Sequence, residues 1–334
     1  MTPDDLRDHL QTAVEIEWST IPPYLCALWS IPEGSNELAA ACIRDVVLEE
    51  MLHVTLVCNL LNAIGGSPRF TPTDSRPSPA PDYPTHLPHS DDAFIVDVRP
   101  FSPEALETFL DIERPAAPKA PPEPDKFHTI GQFYEAVLDA LDELSPGIFT
   151  NDLTCQVDSS YYYGGGGEAF AIHDYETAKE ALDVIIFQGE GLGGTSIWDP
   201  DKSVFGEEEE LAHFFRFDEL YKERRYVQGD TPSSGPTGDP ILIDYAAALP
   251  MRPNPKAEDY PAGSDLRALT DECNATYSTL LGQLETAFTG TQSVLIDSVQ
   301  TMIALRYQAI ALMNIPLDDG TGLNAGPAFQ WRAS

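Results

Sequence analysis

Glu49-Glu50-Met51-Leu52-His53 sits inside a long, otherwise apolar segment. Glu50 and His53 are three residues apart, and on a helix that spacing places both side chains on one face. Four-helix bundles that hold two metal ions use such an E-x-x-H pair, together with single glutamates from the partner helices. The spacing also arises by chance, so its weight comes from its surroundings. The apolar row here steps through Val46, then Glu50 and His53, then Val57, Leu60 and Ile64. Both polar residues interrupt a row that should be buried, as a ligand pair would. Taken alone, His53 reads equally as a hydrogen-bonded core histidine. Glu49 lies one residue round the helix, where it either supports a ligand or is solvated.

Three other segments carry the same anomaly. Leu6, Leu10, Val14, Ile21 and Leu25 recur at helical spacing, and the missing member of their row is Glu17. A buried carboxylate is costly unless it is paired or bound to metal; an arginine partner or a wet edge is the alternative. Leu182, Ile186 and Glu190 step by four, with glycines at 189, 191, 193 and 194 stripping bulk from around the acid. A carboxylate at the negative end of a helix is unfavourable, which a bound cation offsets, although an exposed final turn would also tolerate it. His213 lines up with Phe217 and Leu220 and offers a second imidazole, or else a core histidine among aromatics. On the segment from Thr129 the apolar face runs Ile130, Phe133, Val137, Leu141 and Leu144. Glu135 is the best-placed acid there for a bridging ligand, although periodicity puts it toward solvent.

Around these rows the chain reads as all-α: a four-helix bundle with additional helices and long Pro/Gly-rich loop insertions, in one domain over 1–334. Helices are expected at 3–31, with a kink or break at Pro22-Pro23, and at 36–64, ended by Gly65-Gly66-Ser67-Pro68. A short turn between them predicts an antiparallel pair. Prolines crowd 67–129, where Ser102-Pro103 predicts a short helix over 103–113. Further helices are expected from Thr129 to Ser145-Pro146-Gly147 and over 174–190, 207–225, 265–288 and 291–314. The stretch 150–172, with Tyr161-Tyr162-Tyr163 and four glycines, reads as a loop, either a cover over a pocket or plain surface. Residues 228–264 read as a second irregular insertion.

Composition excludes several functions. With 54 acids against 19 bases the formal charge is −35. Such a surface argues against binding nucleic acid and against docking on an anionic membrane. No run of about 18 apolar residues predicts a membrane span. The N-terminus is acidic and lacks a leader pattern, and the five cysteines are scattered. Free thiols in a cytoplasmic protein are the expectation.

Glu17-Trp18-Ser19-Thr20-Ile21-Pro22-Pro23-Tyr24-Leu25 and Glu49-Glu50-Met51-Leu52-His53 resemble the opening blocks of one ferritin-like family. It is the family that includes the ferritin-like domain of iminophenyl-pyruvate dimer synthase, from violacein-type bisindole biosynthesis. Asn59–Pro68, Thr129–Glu135, Gln188–Gly191, Ala212–Phe217 and Gly326–Phe329 are similar to its later blocks, so the resemblance spans nearly the whole chain. It implies a ferritin-like bundle with a carboxylate and histidine metal site. The matching positions are Glu17, Glu50, His53, Glu190 and His213, with Glu135 added. The substrate of that enzyme, which has further domains, does not carry over.

Two ions about 3.5–4 Å apart on such ligands suit redox chemistry with dioxygen. Iron is the expected metal, with manganese the alternative. The function expected is a dinuclear metal-dependent oxidase or oxygenase. It would act on a small amino-acid-derived substrate with dioxygen, with a homodimer left open. A metal-binding or iron-storage protein without turnover is the other reading. Tyr24 and Glu49 are candidates for fixing ligand orientation, Tyr24 serving equally as a packing residue.

Overall fold

The computed structural model describes residues 1–191, 195–199 and 210–333. Eight α-helices are described: α1 (Pro3–Ser30), α2 (Glu37–Ala63), α3 (Pro103–Ile112), α4 (Ile130–Leu144), α5 (Tyr175–Glu190), α6 (His213–Tyr221), α7 (Asp265–Phe288) and α8 (Val294–Met313). The sheet content is one antiparallel pair of two-residue strands, β1 (Trp198–Asp199) and β2 (Glu210–Leu211).

α1 packs on α2 and α4, and α5 packs on the same two, so the four close into a ring. That ring is the bundle predicted from the apolar rows. α3 and α6 pack on each other, with α6 also touching α2 and α5. α7 and α8 form a separate pair that leans on α1 and α2. α2 is apolar and long enough to cross a membrane by composition, but most of that stretch is buried inside the protein.

The helix ends follow local chemistry. Thr2 and Asp5 make a reciprocal capping box ahead of α1, with Pro3 in the first turn. Ser102 caps α3, Thr129 caps α4 and Asp174 caps α5 through side-chain oxygens that accept from backbone N–H groups. α2 stops where Gly65 turns to φ +75° and the Gly66 N–H closes back on the Leu61 carbonyl at 2.9 Å.

Three sequence expectations change. Pro22 and Pro23 do not break α1, which runs on to Ser30. Pro23 has no N–H for the Ser19 carbonyl one turn back, and the Tyr83 hydroxyl, from the proline-rich insertion, donates to that carbonyl at 2.7 Å. The helix expected over 207–225 is shorter. It begins at His213, because Glu210 and Leu211 are spent on the strand pair; residues 207–209 lie outside those described. α8 begins at Val294, three residues late. Residues 67–129 are irregular apart from α3, and 228–264 holds two short 3-10 turns.

Loop 150–172 is fastened to α2 by polar side chains. Asn59, fully buried, donates to the Val157 and Phe170 carbonyls at 2.7 and 2.9 Å and accepts from the Val157 N–H at 2.8 Å. Asn62 donates to the Cys155 and Phe288 carbonyls at 3.0 and 2.9 Å. All five cysteines are free. Replacing Asn59 by Ala strands three buried backbone groups, which costs about 1–3 kcal/mol for a single such loss. We therefore expect Asn59→Ala to unfold at least about 2 kcal/mol more easily in urea, and no change in midpoint would show that the loop is held by something else.

Candidate metal centre

Glu17 projects from the middle of α1, and Glu50 and His53 project from one face of α2. All three are at most 3% exposed. His53 Nδ1 lies 3.5 Å from Glu17 Oε2 and 3.6 Å from Glu50 Oε1. His213, the first residue of α6, is fully buried and brings its Nδ1 to 3.0 Å from Glu50 Oε1 and 3.5 Å from Glu113 Oε2. Two groups of donors therefore converge, Glu17–Glu50–His53 and Glu50–Glu113–His213, each compact enough to hold one ion. Glu50 belongs to both, and the two imidazoles stack with ring centres 5.5 Å apart.

Glu190, the last residue of α5, lines the same small cavity of about 20 Å³. Its carboxylate accepts from the Gly131 and Ala116 N–H groups at 2.7 and 2.9 Å. A Cβ at Gly131 would lie 2.4 Å from a carboxylate oxygen, so any larger residue there would displace Glu190. Glu190 stands as a cavity wall rather than a member of either donor group. Glu135 is not brought in: it lies on the exposed face of α4, as its periodicity foretold. Its neighbour Tyr134 turns inward instead, and its hydroxyl donates to Glu17 Oε1. The glycines at 193 and 194 lie outside the described residues.

Glu113 was not singled out from the sequence. It caps the C-terminal end of α3 and is 5% exposed. The signal was present, because the dipole argument that marked Glu190 at the end of α5 applies equally at the end of α3. Tyr24 donates its hydroxyl to Glu113 Oε1, so it orients a ligand candidate as well as packing. The Thr20 hydroxyl reaches Glu50 Oε2 at 2.8 Å.

The outer nitrogens of the two imidazoles are held differently. Glu49, fully buried, faces His213 Nε2 at 2.7 Å and accepts from Arg216 Nη1 at 2.9 Å. A carboxylate can only accept, so Nε2 carries a proton, and in the neutral form of His213 the Nδ1 lone pair faces inward. His53 Nε2 faces the Gln188 amide oxygen at 2.8 Å, and Gln188 Nε2 donates to the Gly166 carbonyl at 3.2 Å. That network again leaves Nδ1 as the inward atom.

Electrostatics at the centre are set by burial and crowding. Burial, aided by the charge of Glu113, pushes the Glu50 carboxyl up to about 7. Burial also pushes Glu190 up to about 7 against its two backbone N–H groups. Burial resists ionisation of Glu49, but Arg216 and His213 hold its carboxyl below the usual range. For His213 burial disfavours the charged form, yet Glu113, Glu49 and Glu50 raise it well above the ordinary imidazole value. For His53 the opposing hydrogen bond to Glu17 and the charge of Glu50 outweigh burial, and its value is raised.

The donor set fits a bound metal cation. His213 Nδ1 is buried and makes no hydrogen bond, although two carboxylates flank it. Four acidic side chains, Glu17, Glu50, Glu113 and Glu190, line one cavity. The Arg216 guanidinium is paired to Glu49 behind His213. Carboxylates and imidazole nitrogens from several helices, aimed at a common point, are the ligands iron, manganese and zinc take.

Comparison with known proteins agrees with this architecture. A family model described as ferritin-like matches residues 10–222. The crystal structure of a ferritin-like protein from Caulobacter vibrioides is similar in fold, with a TM-score of 0.69 at 22% identity over 99% of each chain. No curated protein matches the sequence. The ring of four helices, the inward glutamates and histidines and the matching family model together place this chain in the ferritin-like family.

Proposed function

We propose that the chain is a metal-dependent oxidase or oxygenase that uses two ions, iron or else manganese, and acts with dioxygen on a small amino-acid-derived molecule. The observation that carries the metal is the unsatisfied Nδ1 of His213 between Glu50 and Glu113. The substrate class rests on the resemblance of the sequence blocks alone and on no feature of the site. Such ions supply electron transfer to dioxygen. Glu17, Glu50 and His53 would hold one, and Glu50, Glu113 and His213 the other, with Glu50 between them. Tyr134, Thr20 and Tyr24 fix the carboxylates in place. Glu49 fixes the tautomer and aim of His213, and Gln188 does the same for His53. The cavity of about 20 Å³ holds about one water, so an organic substrate would reach the centre only after its walls move. The acidic surface fits a cytoplasmic protein without nucleic-acid or membrane partners.

Metal analysis after purification without chelator tests this directly. About two iron or manganese ions per chain are expected, with dioxygen consumed by the reduced protein. Large and variable iron loading would favour storage, and no stoichiometric metal would remove the proposal. Glu49→Gln should weaken metal binding about 10–100-fold, the usual effect of losing a group that orients a ligand, with the helical spectrum unchanged. Unaltered affinity in a titration would take Glu49 out of that role.

The chelated protein should also show a defined pH dependence. With carboxyls raised to about 7, folded Glu50 and Glu190 keep protons that unfolded glutamates, near 4.5, have released. The raised histidines act in the same direction. The contribution of the two carboxyls is therefore complete below about pH 4.5 and is lost as the pH rises through about 7, whereas that of the histidines is complete below about pH 6.5 and is lost above it. Thermal scans with chelator should give a Tm that falls between pH 5 and pH 8, less steeply in Glu190→Gln. Because cations replace the protons, the Tm gain on adding metal should grow over the same range; a gain that shrinks would contradict this account.

A further inference from the structure

A second hollow, of about 160 Å³, lies between the α1–α2 pair and the α7–α8 pair, covered by Tyr162, Tyr163 and Gly164. Its walls include Trp18 and Ile21, Met51 and Val54, and Phe288 and Val299. No acidic, basic or histidine side chain lines it among the described residues. The buried polar side chains that line it are already engaged, and Tyr163 is largely exposed. The Thr55 hydroxyl donates to the Met51 carbonyl at 2.9 Å and Ser298 to the Leu295 carbonyl at 2.6 Å. Trp18 Nε1 donates to the Tyr277 hydroxyl at 2.8 Å, and the Tyr162 hydroxyl to the Leu48 carbonyl at 3.3 Å.

The cover is seated on α2. A Cβ at Gly165 would lie 3.1 Å from Leu48 Cδ1, and one at Gly166 would lie 2.4 Å from the Leu48 carbonyl oxygen. Only glycines let the strand of chain after Tyr163 come this close. Tyr163 itself stands at the mouth, 64% exposed.

We propose that this hollow is a binding site for a small uncharged ring of about benzene size. The size follows from precedent, because an apolar cavity of about 150 Å³ stays dry and takes up benzene or xenon. The absence of charge follows from the walls. A charged or strongly hydrogen-bonding guest would shed water and find no partner, at a cost of several kcal/mol. The same loop touches the carboxylate cluster: two residues past Gly164, the Gly166 carbonyl holds Gln188, whose amide oxygen faces His53. The site is distinct from that cluster and does not depend on its holding metal.

Toluene and benzoate, similar in shape and different in charge, make the test, titrated at pH 7.5 into the metal-loaded and the chelated chain. Toluene should bind at least tenfold more tightly than benzoate to both. Crystals under xenon should show density between Trp18 and Val299. Val299→Trp, which fills the mouth, should weaken toluene at least tenfold while metal uptake and the helical spectrum stay as they were. Met302→Phe serves in its place if the first variant does not fold, and Leu242→Trp, at a surface position 93% exposed, should change nothing. Equal binding of the two probes, binding of neither, or undiminished toluene affinity in a folded filled variant would overturn the proposal.

Discussion

Acidic side chains gathered away from water are the constraint around which this protein is built. Glu17, Glu50, Glu113 and Glu190 face one cavity of about 20 Å³, and the Arg216 guanidinium is paired with Glu49. Desolvation penalises each charge, and each carboxylate raises the penalty on the next. What keeps them in place without a cation is a set of single hydrogen bonds. Tyr134 holds Glu17, Thr20 holds Glu50, Tyr24 holds Glu113, and backbone N–H groups hold Glu190. These donors satisfy one or two oxygens each and leave the others aimed inward. Replacing buried charged groups by an apolar core of the same volume is often neutral or stabilising, so stability alone does not account for the arrangement.

The two halves of the centre are not equivalent. His213 leans on a carboxylate that is itself paired with Arg216, a route by which negative charge reaches the imidazole. His53 leans on a neutral amide, anchored to the backbone of a glycine loop. A carboxylate behind a ligating histidine raises its basicity, and an amide does so less. The His213 side is thus electronically richer and rigidly braced between α2 and α6. The His53 side is braced through a loop that has no helix of its own.

Much of this was legible in the sequence. Glu17, Glu50 and His53 announce themselves because each interrupts an apolar row on a long helix, where periodicity is strong. The capped starts of α3, α4 and α5 follow from short-range chemistry, which a sequence carries whole. Glu135 was favoured for the chemistry of its side chain over the face it occupies, and the face prevailed. Pro22-Pro23 suggested a break because the donor that rescues the Ser19 carbonyl, Tyr83, comes from 64 residues away. Gln188 acts through contacts across the bundle, which no local pattern records, whereas Glu113 carried the same helix-end signal as Glu190 and was passed over.

The irregular insertions belong to the same account. Residues 67–129 bring Tyr83 to the proline turn of α1, Glu113 to His213 and the Ala116 N–H to Glu190. Loop 150–172 brings Gly166 to Gln188. A minimal bundle has only helix interiors to place ligands on, and a helix interior aims each side chain along a direction fixed by its turn. Helix ends and the loops beyond them escape that restriction. Here Glu113, Glu190 and His213 all sit at helix ends, and the extra chain is what carries those ends to the cavity and satisfies the backbone groups they leave open.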